Sequence, residues 1–256
     1  MNIAVVTGAS SGMGKEFFLS LLERNEKLDE IWVIARSEDK LNELKKLTDI
    51  KIKVLPLDLS KEESYDVYRT ELDKEKPSIK YLICASGFGK FAGINDTKRE
   101  VLTNMVSLNC NGVLATTRDS IDYMAKDSIM MVIASVAAFQ PIPYIATYAA
   151  SKAFVLSYCR SLNRELKKKG SRCLAICPFW TKTAFFDRAK TGNDIVKKYA
   201  VMYEPKNIVK KAWKDSKKKK KDVSIYGAFT KSQSLLIKLL PHRLVMNIWL
   251  SQQKLN

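Results

Sequence analysis

Apolar residues recur along this chain in short unbroken runs, each followed by a longer stretch with helical spacing. The runs are Asn2 to Val6, Ile31 to Ala35, Ile52 to Leu57, Tyr81 to Ala85, Ile129 to Ala134 and Arg172 to Cys177, with Val223 to Tyr226 as a weaker seventh. Runs that are continuous rather than alternating suit strands covered on both faces. Helices are expected from near Gly12, over Lys61 to Lys74, over Lys98 to Ala125, over Tyr144 to Lys169 and over Pro205 to Lys214. Strand followed by helix throughout predicts an α/β fold, a doubly wound parallel sheet of about seven strands with helices on both faces. After Pro178 the pattern changes: Phe179 to Asn193 has no clear period and carries aromatics, which suits a mobile loop or short helix over a pocket. The last apolar stretch, Ser234 to Leu250, should be split into two helices by Pro241.

Composition narrows this. A chain of 256 residues with 46% hydrophobic and 28% charged residues fits one soluble α/β domain. We expect residues 1–227 to form the main unit and 228–256 a basic, apolar helical tail packed on it or extending from it. No apolar run approaches the roughly 20 residues that span a bilayer. Met1 to Val6 is too short and uncharged for a signal peptide, so a cytoplasmic location is expected. Five cysteines without close pairing argue against a disulfide framework, and the single histidine, His242, argues against zinc and Ser-His-Asp chemistry, so no metal is expected. Of the net charge of +17, +11 lies from Lys206 onward, where 13 Lys and Arg face only Asp215 and Asp222. The run Lys217 to Lys221 reads as a solvated connection or as a contact for an acidic partner or membrane. It lacks interleaved aromatics, which argues against nucleic acid.

The candidate chemistry begins at TGASSGMG, Thr7 to Gly14, directly after the first strand. Gly8, Gly12 and Gly14, with Ser10, Ser11 and Met13 between them, let the backbone turn tightly and bring a pyrophosphate to a helix N-terminus. About 20 residues further on, where an acidic residue would meet a ribose hydroxyl, the chain has Arg36 and Ser37, which suit a 2′-phosphate and point to NADP(H). Ser86 and Gly87 follow the fourth strand and again allow close approach of a ligand. Ser135 ends the fifth strand, at the edge where open α/β sheets bind their ligands. Tyr148 and Lys152 lie one turn apart on one helix, and an ammonium there would pull the phenol below its usual pKa of about 10.

These marks resemble the short-chain dehydrogenase/reductase family over roughly residues 1–227: TGASSGMG, then Asn109, Ser135, and Tyr148 with Lys152 as a Tyr-x-x-x-Lys pair. The resemblance implies a Rossmann-type fold and an oxidoreductase acting on CH-OH groups. It implies Tyr148 as acid and base, Lys152 on the nicotinamide ribose, Ser135 on the substrate oxygen, and Asn109 on a relaying water. It places Asp58 and Leu59 at the adenine, Thr181 and Thr183 at the nicotinamide amide and pyrophosphate, and it implies a homodimer or homotetramer. In character the chain is similar to 3-oxoacyl and hydroxysteroid reductases. Two positions depart from the family pattern: Cys84-Ala85-Ser86-Gly87 stands where Asn-Asn-Ala-Gly is usual, and Pro178-Phe179 where Pro-Gly is usual. The expected substrate is a small, apolar carbonyl or alcohol. The alternatives are a catalytically idle NADP-binding scaffold, or a reductase of lipid-like or steroid substrates whose tail makes weak contact with a membrane surface.

Overall fold

The structure, a computed structural model, describes residues 1–24, 26–189, 195–196 and 199–255. Its strands are β1 (Asn2–Thr7), β2 (Glu30–Ile34), β3 (Lys51–Leu55), β4 (Ser78–Cys84), β5 (Met124–Ile133), β6 (Arg172–Ile176) and β7 (Val223–Ser224). They form one parallel sheet in the order β3-β2-β1-β4-β5-β6-β7. The chain starts at the centre, winds out through β2 and β3, then returns to pair β4 with β1. The strand order therefore reverses at the carboxyl ends of Thr7 and Cys84, which are register partners. Loops leaving that point diverge and open a crevice.

Each apolar run feeds two cores because successive side chains alternate between the faces. Ile3 and Val5 join Trp32, Tyr68, Leu72, Val155 and Cys159 on one face, packed by α3 (Glu62–Glu75), α5 (Gly112–Ser120) and α6 (Ala146–Glu165). Ala4 and Val6 join Phe17, Phe18, Leu21 and Trp213 on the other, packed by α1 (Gly12–Glu23) and α8 (Pro205–Ser216). A short α2 (Glu38–Asn42) follows β2.

Several boundaries differ from the sequence expectation. The helix expected over Lys98 to Ala125 is three pieces: α4 (Arg99–Val106), a wide π turn (Ser107–Asn111) and α5. The π turn takes up an extra residue and brings Asn109 fully inside. Gly112 opens α5, where a Cβ would lie 2.6 Å from the Leu59 carbonyl. β5 begins at Met124 rather than Ile129, with a register irregularity and Asp127 at φ 60° between its halves. β3 stops at Leu55, β6 at Ile176, and β7 is only two residues long. The central helix begins at Ala146, after Tyr144 at φ 66°, and Leu166–Lys169 form a tighter turn.

Beyond the sheet lie α7 (Phe185–Ala189), α9 (Ala228–Leu239) and α10 (His242–Gln253), the last two separated at Pro241 as the sequence indicates. Residues 190–193 of the aromatic segment lie outside the described residues. In the lysine run, Lys217 to Lys220 are exposed, while Lys221 pairs with the buried Asp215 carboxylate at 3.0 Å and Arg172 donates to the Lys218 carbonyl at 2.9 Å.

Candidate active site

A cavity of about 1470 Å³ runs along the carboxyl ends of the strands. At one end is the glycine-rich turn. Gly8 and Gly12 have φ of 68° and 54°, the left-handed region that favours glycine. A Cβ on Gly8 would lie 2.9 Å from the Ala85–Ser86 peptide, and one on Gly14 would lie 2.2 Å from the Gly8 carbonyl oxygen. These contacts fix β1 against β4 and bring α1 down onto the turn. Ser11 caps α1 without a side-chain hydrogen bond, which leaves the first-turn amides of that helix without a side-chain cap, and Ser10, Ser11, Gly12 and Met13 line the cavity.

Arg36, Ser37, Asp58 and Leu59 line the same end, and Lys40, which the sequence reading passed over, joins Arg36 there. Asp58 closes a local turn by accepting from the Ser60 amide at 3.1 Å and from the Ser60 hydroxyl at 2.8 Å. Thr183 lies over the turn, within contact distance of a Cβ on Gly12. Thr181 donates to the Phe179 carbonyl at 2.8 Å.

At the middle of the cavity the structure brings Ser135, Tyr148 and Lys152 to one wall, with Asn109 buried directly behind. The Ser135 hydroxyl accepts from the Ala137 amide at 3.1 Å, which orients it. Lys152 is 4% exposed; its Nζ donates to the Ile133 carbonyl at 2.7 Å and lies 5.8 Å from the centre of the Tyr148 ring. The expected lowering of the Tyr148 phenol is not what the structure shows. Burial pushes it up to about 12, with the Ser135 hydroxyl pulling the other way. Burial also lowers Lys152 to about 8. The ammonium is turned to a carbonyl rather than held on the phenol oxygen, so desolvation of the phenol prevails.

Asn109 is tied to the protein through both atoms of its amide. Its side chain accepts from the Phe88 amide at 3.1 Å and donates to the Phe88 carbonyl at 2.9 Å and to the Ser151 hydroxyl at 3.0 Å. These bonds hold the Gly87–Phe88 backbone beside Lys152; a Cβ on Gly87 would lie 2.9 Å from Asn109 Oδ1. After β4, where the family pattern has asparagine, the backbone is held by Thr7. Its buried hydroxyl accepts from the Ala85 and Ser86 amides at 3.1 and 3.2 Å. Thr7 opens the motif that singles out the glycines, but nothing local to it signals a partner some eighty residues away.

The far end is apolar. Phe91, Ile142, Ile145, Trp180, Phe185 and Trp249 form its walls, with α9 and α10 supplying the outer side. The Tyr148 ring lies 5.4 Å from Phe185, and Trp249 is anchored by a 3.1 Å hydrogen bond to the Pro143 carbonyl. No local pattern links Trp249 to a site a hundred residues earlier.

Residues 2–194 match the short chain dehydrogenase family. The chain belongs to that family. It is therefore an oxidoreductase family member on a nucleotide-binding, Rossmann-type sheet, with a likeness to 3-oxoacyl reductases among its relatives. It is 34% identical over 178 residues to a very-long-chain 3-oxoacyl-CoA reductase of Pyricularia oryzae, covering 65% of this chain and 52% of that protein. The chain thus spans about half the length of that relative. Among solved structures, a short-chain dehydrogenase from Sphingobium yanoikuyae in complex with NADPH superposes with a TM-score of 0.78 at 22% identity, covering 92% of each chain. A 4-hydroxyisoleucine dehydrogenase complexed with NADH superposes with a TM-score of 0.70 at 22% identity, covering 82% of this chain and 88% of that one. Family members occur with either nicotinamide cofactor.

Proposed function

We propose that this protein is an NADP(H)-dependent oxidoreductase that interconverts an apolar carbonyl compound and its secondary alcohol, with Tyr148 carrying the proton. The observation that carries this reading is the meeting of Tyr148, Ser135 and Lys152 on one wall of a cavity whose other end is the glycine-rich turn. A dinucleotide fits the residues present, since Gly8 and Gly12 sit where a side chain would be strained, and α1 offers uncapped amides to a pyrophosphate. Arg36 and Lys40, both exposed at that end, suit a 2′-phosphate better than bare ribose hydroxyls, which favours NADP(H).

When bound, the reduced nicotinamide supplies a hydride. The chain's own residues supply the rest. At neutral pH Tyr148 is a neutral phenol and Lys152 an ammonium, so Tyr148 holds the proton that a carbonyl oxygen needs. Ser135 offers a hydrogen bond where negative charge develops on that oxygen. Lys152 favours the phenolate that remains after the proton has left. Phe91, Phe185 and Trp249 exclude water and select an apolar substrate. The activity in the relative's name supports an acyl chain as one form of it.

The test is turnover by Tyr148→Phe. The variant should bind NADPH as the native protein does and reduce accepted carbonyls about 10² to 10⁴ times more slowly, the usual range for a positioned acid. Native turnover by that variant would overturn the assignment. We further propose a homodimer or homotetramer, supported by the exposed Val106, Leu114 and Phe154 on α4, α5 and α6 and by the stacking of Phe154 on Tyr158. Sedimentation showing a single monomer at micromolar concentration would refute it.

A further inference from the structure

We propose that α9 and α10 form a docking face for an anionic lipid bilayer, with the cavity opening onto that face. Entry of the substrate from the bilayer rests on the oxidoreductase reading above; the docking itself does not. α9 exposes Leu235, Leu236 and Leu239 at 64%, 55% and 75%, and α10 adds Leu244 and Ile248. Apolar side chains this exposed and this close together are unusual on a soluble surface.

Their arrangement follows helical spacing. On α9, Lys231, Leu235, Lys238 and Leu239 make one stripe, and Phe229, Gln233 and Leu236 make the neighbouring one, with Leu240 just past the helix end. The second stripe lines the cavity, as do Val245, Ile248 and Trp249 on α10. Phe229, Leu236 and Ile248 are at once exposed and part of the lining, so they form a rim where the cavity meets the apolar face.

Charge decides the occupant. From Val223 to the end the chain has no Asp or Glu, while α9 carries Lys231 and Lys238, α10 carries Arg243, and Lys254 follows it. Lys238 rests over Phe139 with its Nζ 4.8 Å from the ring centre. A second copy of the same face would set like charges against each other. A layer of anionic headgroups over acyl chains complements both the lysines and the leucines. Among the described residues no helix is long and apolar enough to cross a membrane, so the pair would lie on the surface.

The experiment is flotation of the full chain with vesicles of phosphatidylcholine alone and of phosphatidylcholine mixed with phosphatidylglycerol. The native protein should float with the mixed vesicles, less well as salt is raised, and poorly with phosphatidylcholine alone. Leu235→Ser with Leu239→Ser should weaken flotation by at least about tenfold, the scale set by withdrawing two leucines. Neither leucine lines the cavity, so NADPH-dependent reduction of a small water-soluble ketone should be unchanged. Absence of flotation at low salt would overturn the proposal. So would full flotation of the double variant together with its loss on replacing Lys217 to Lys221 by serine, which would place the contact on the lysine run. Native dimers that the double variant splits into monomers would show the face covered by a second copy, and would also overturn it. Flotation without turnover of any carbonyl supports docking and removes only the oxidoreductase reading.

Discussion

Burial fixes the two central side chains in opposite senses, with Tyr148 raised to about 12 and Lys152 lowered to about 8. Lys152 therefore carries a stability cost that depends on pH. Its folded pKa lies below its ordinary value of 10.5, so the unfolded chain holds the proton more tightly. Below about pH 8 both states are charged and the cost is full; between about 8 and 10.5 it fades as the unfolded chain also loses its proton. Lys152→Met should be about 1–2 kcal/mol more stable than the native protein at pH 7, after allowing for the lost hydrogen bond to Ile133. That advantage should vanish near pH 10.5, as urea melts at the two pH values would show, while turnover is lost. Thr7 is the second decisive residue. Thr7→Val keeps the shape but leaves the Ala85 and Ser86 amides unpaired, and should cost about 1–3 kcal/mol in the same melts. The Tyr148–Lys152 pair was legible because four residues in a helix fix their juxtaposition. Thr7 and the Ile133 carbonyl were not, because their partners lie far along the chain, in the loop after β4 and on α6.

At the level of elements, the buried strands were legible because an unbroken apolar run can only be covered on both faces, as Val5 and Val6 are. What was not legible arises from packing between elements. The π turn at Ser107–Asn111 answers to the loop after β4 and to Ser151 of α6. The early start of β5 depends on pairing of Met124 with Ile79, which polar Lys126 and Asp127 conceal. α8 shows the same limit. Its Asp215 is fully buried at the helix end, where it accepts from Ser224 at 2.8 Å and pairs with Lys221 and Lys211. Burial raises its carboxyl, but hydrogen bonds from the two lysines and Ser224 outweigh that and hold it below its ordinary value of 3.8. This joint fastens α8 to β7 and the lysine run. Asp215→Ala should cost about 1.5–3 kcal/mol at pH 7, the range for hydrogen bonds to a charged group, because Lys211 and Lys221 keep 19% and 31% of their side chains in solvent. Because a depressed carboxyl stabilises only while ionised, the gap between variant and native protein should close as pH falls below about 3.8. A gap of equal size at pH 7 and in acid would show that the ion pairs contribute nothing.

For the molecule as a whole, the cavity is the feature that joins the parts. Its lining takes residues from the glycine-rich turn, the ends of β2 to β6 and the helices α9 and α10. A ligand filling it should therefore stabilise the entire chain. At a concentration of one hundred times its Kd, a nucleotide that binds only the folded state adds about 2.7 kcal/mol. For a chain of this size that corresponds to a rise in Tm of about 5–10 °C. If Arg36 reads a 2′-phosphate, NADPH should give a larger rise than NADH at equal concentration, and Arg36→Asp should reverse the order, since a carboxylate accepts from ribose hydroxyls and repels the phosphate. Arg36 is exposed, so the ligand-free Tm of the variant should stay within a degree or two of the native value, as expected for a surface substitution. Thermal melts of both proteins with each nucleotide check all three statements. Equal rises with NADPH and NADH in the native chain would remove Arg36 from the cofactor assignment and leave the family's two cofactors equally open to this protein.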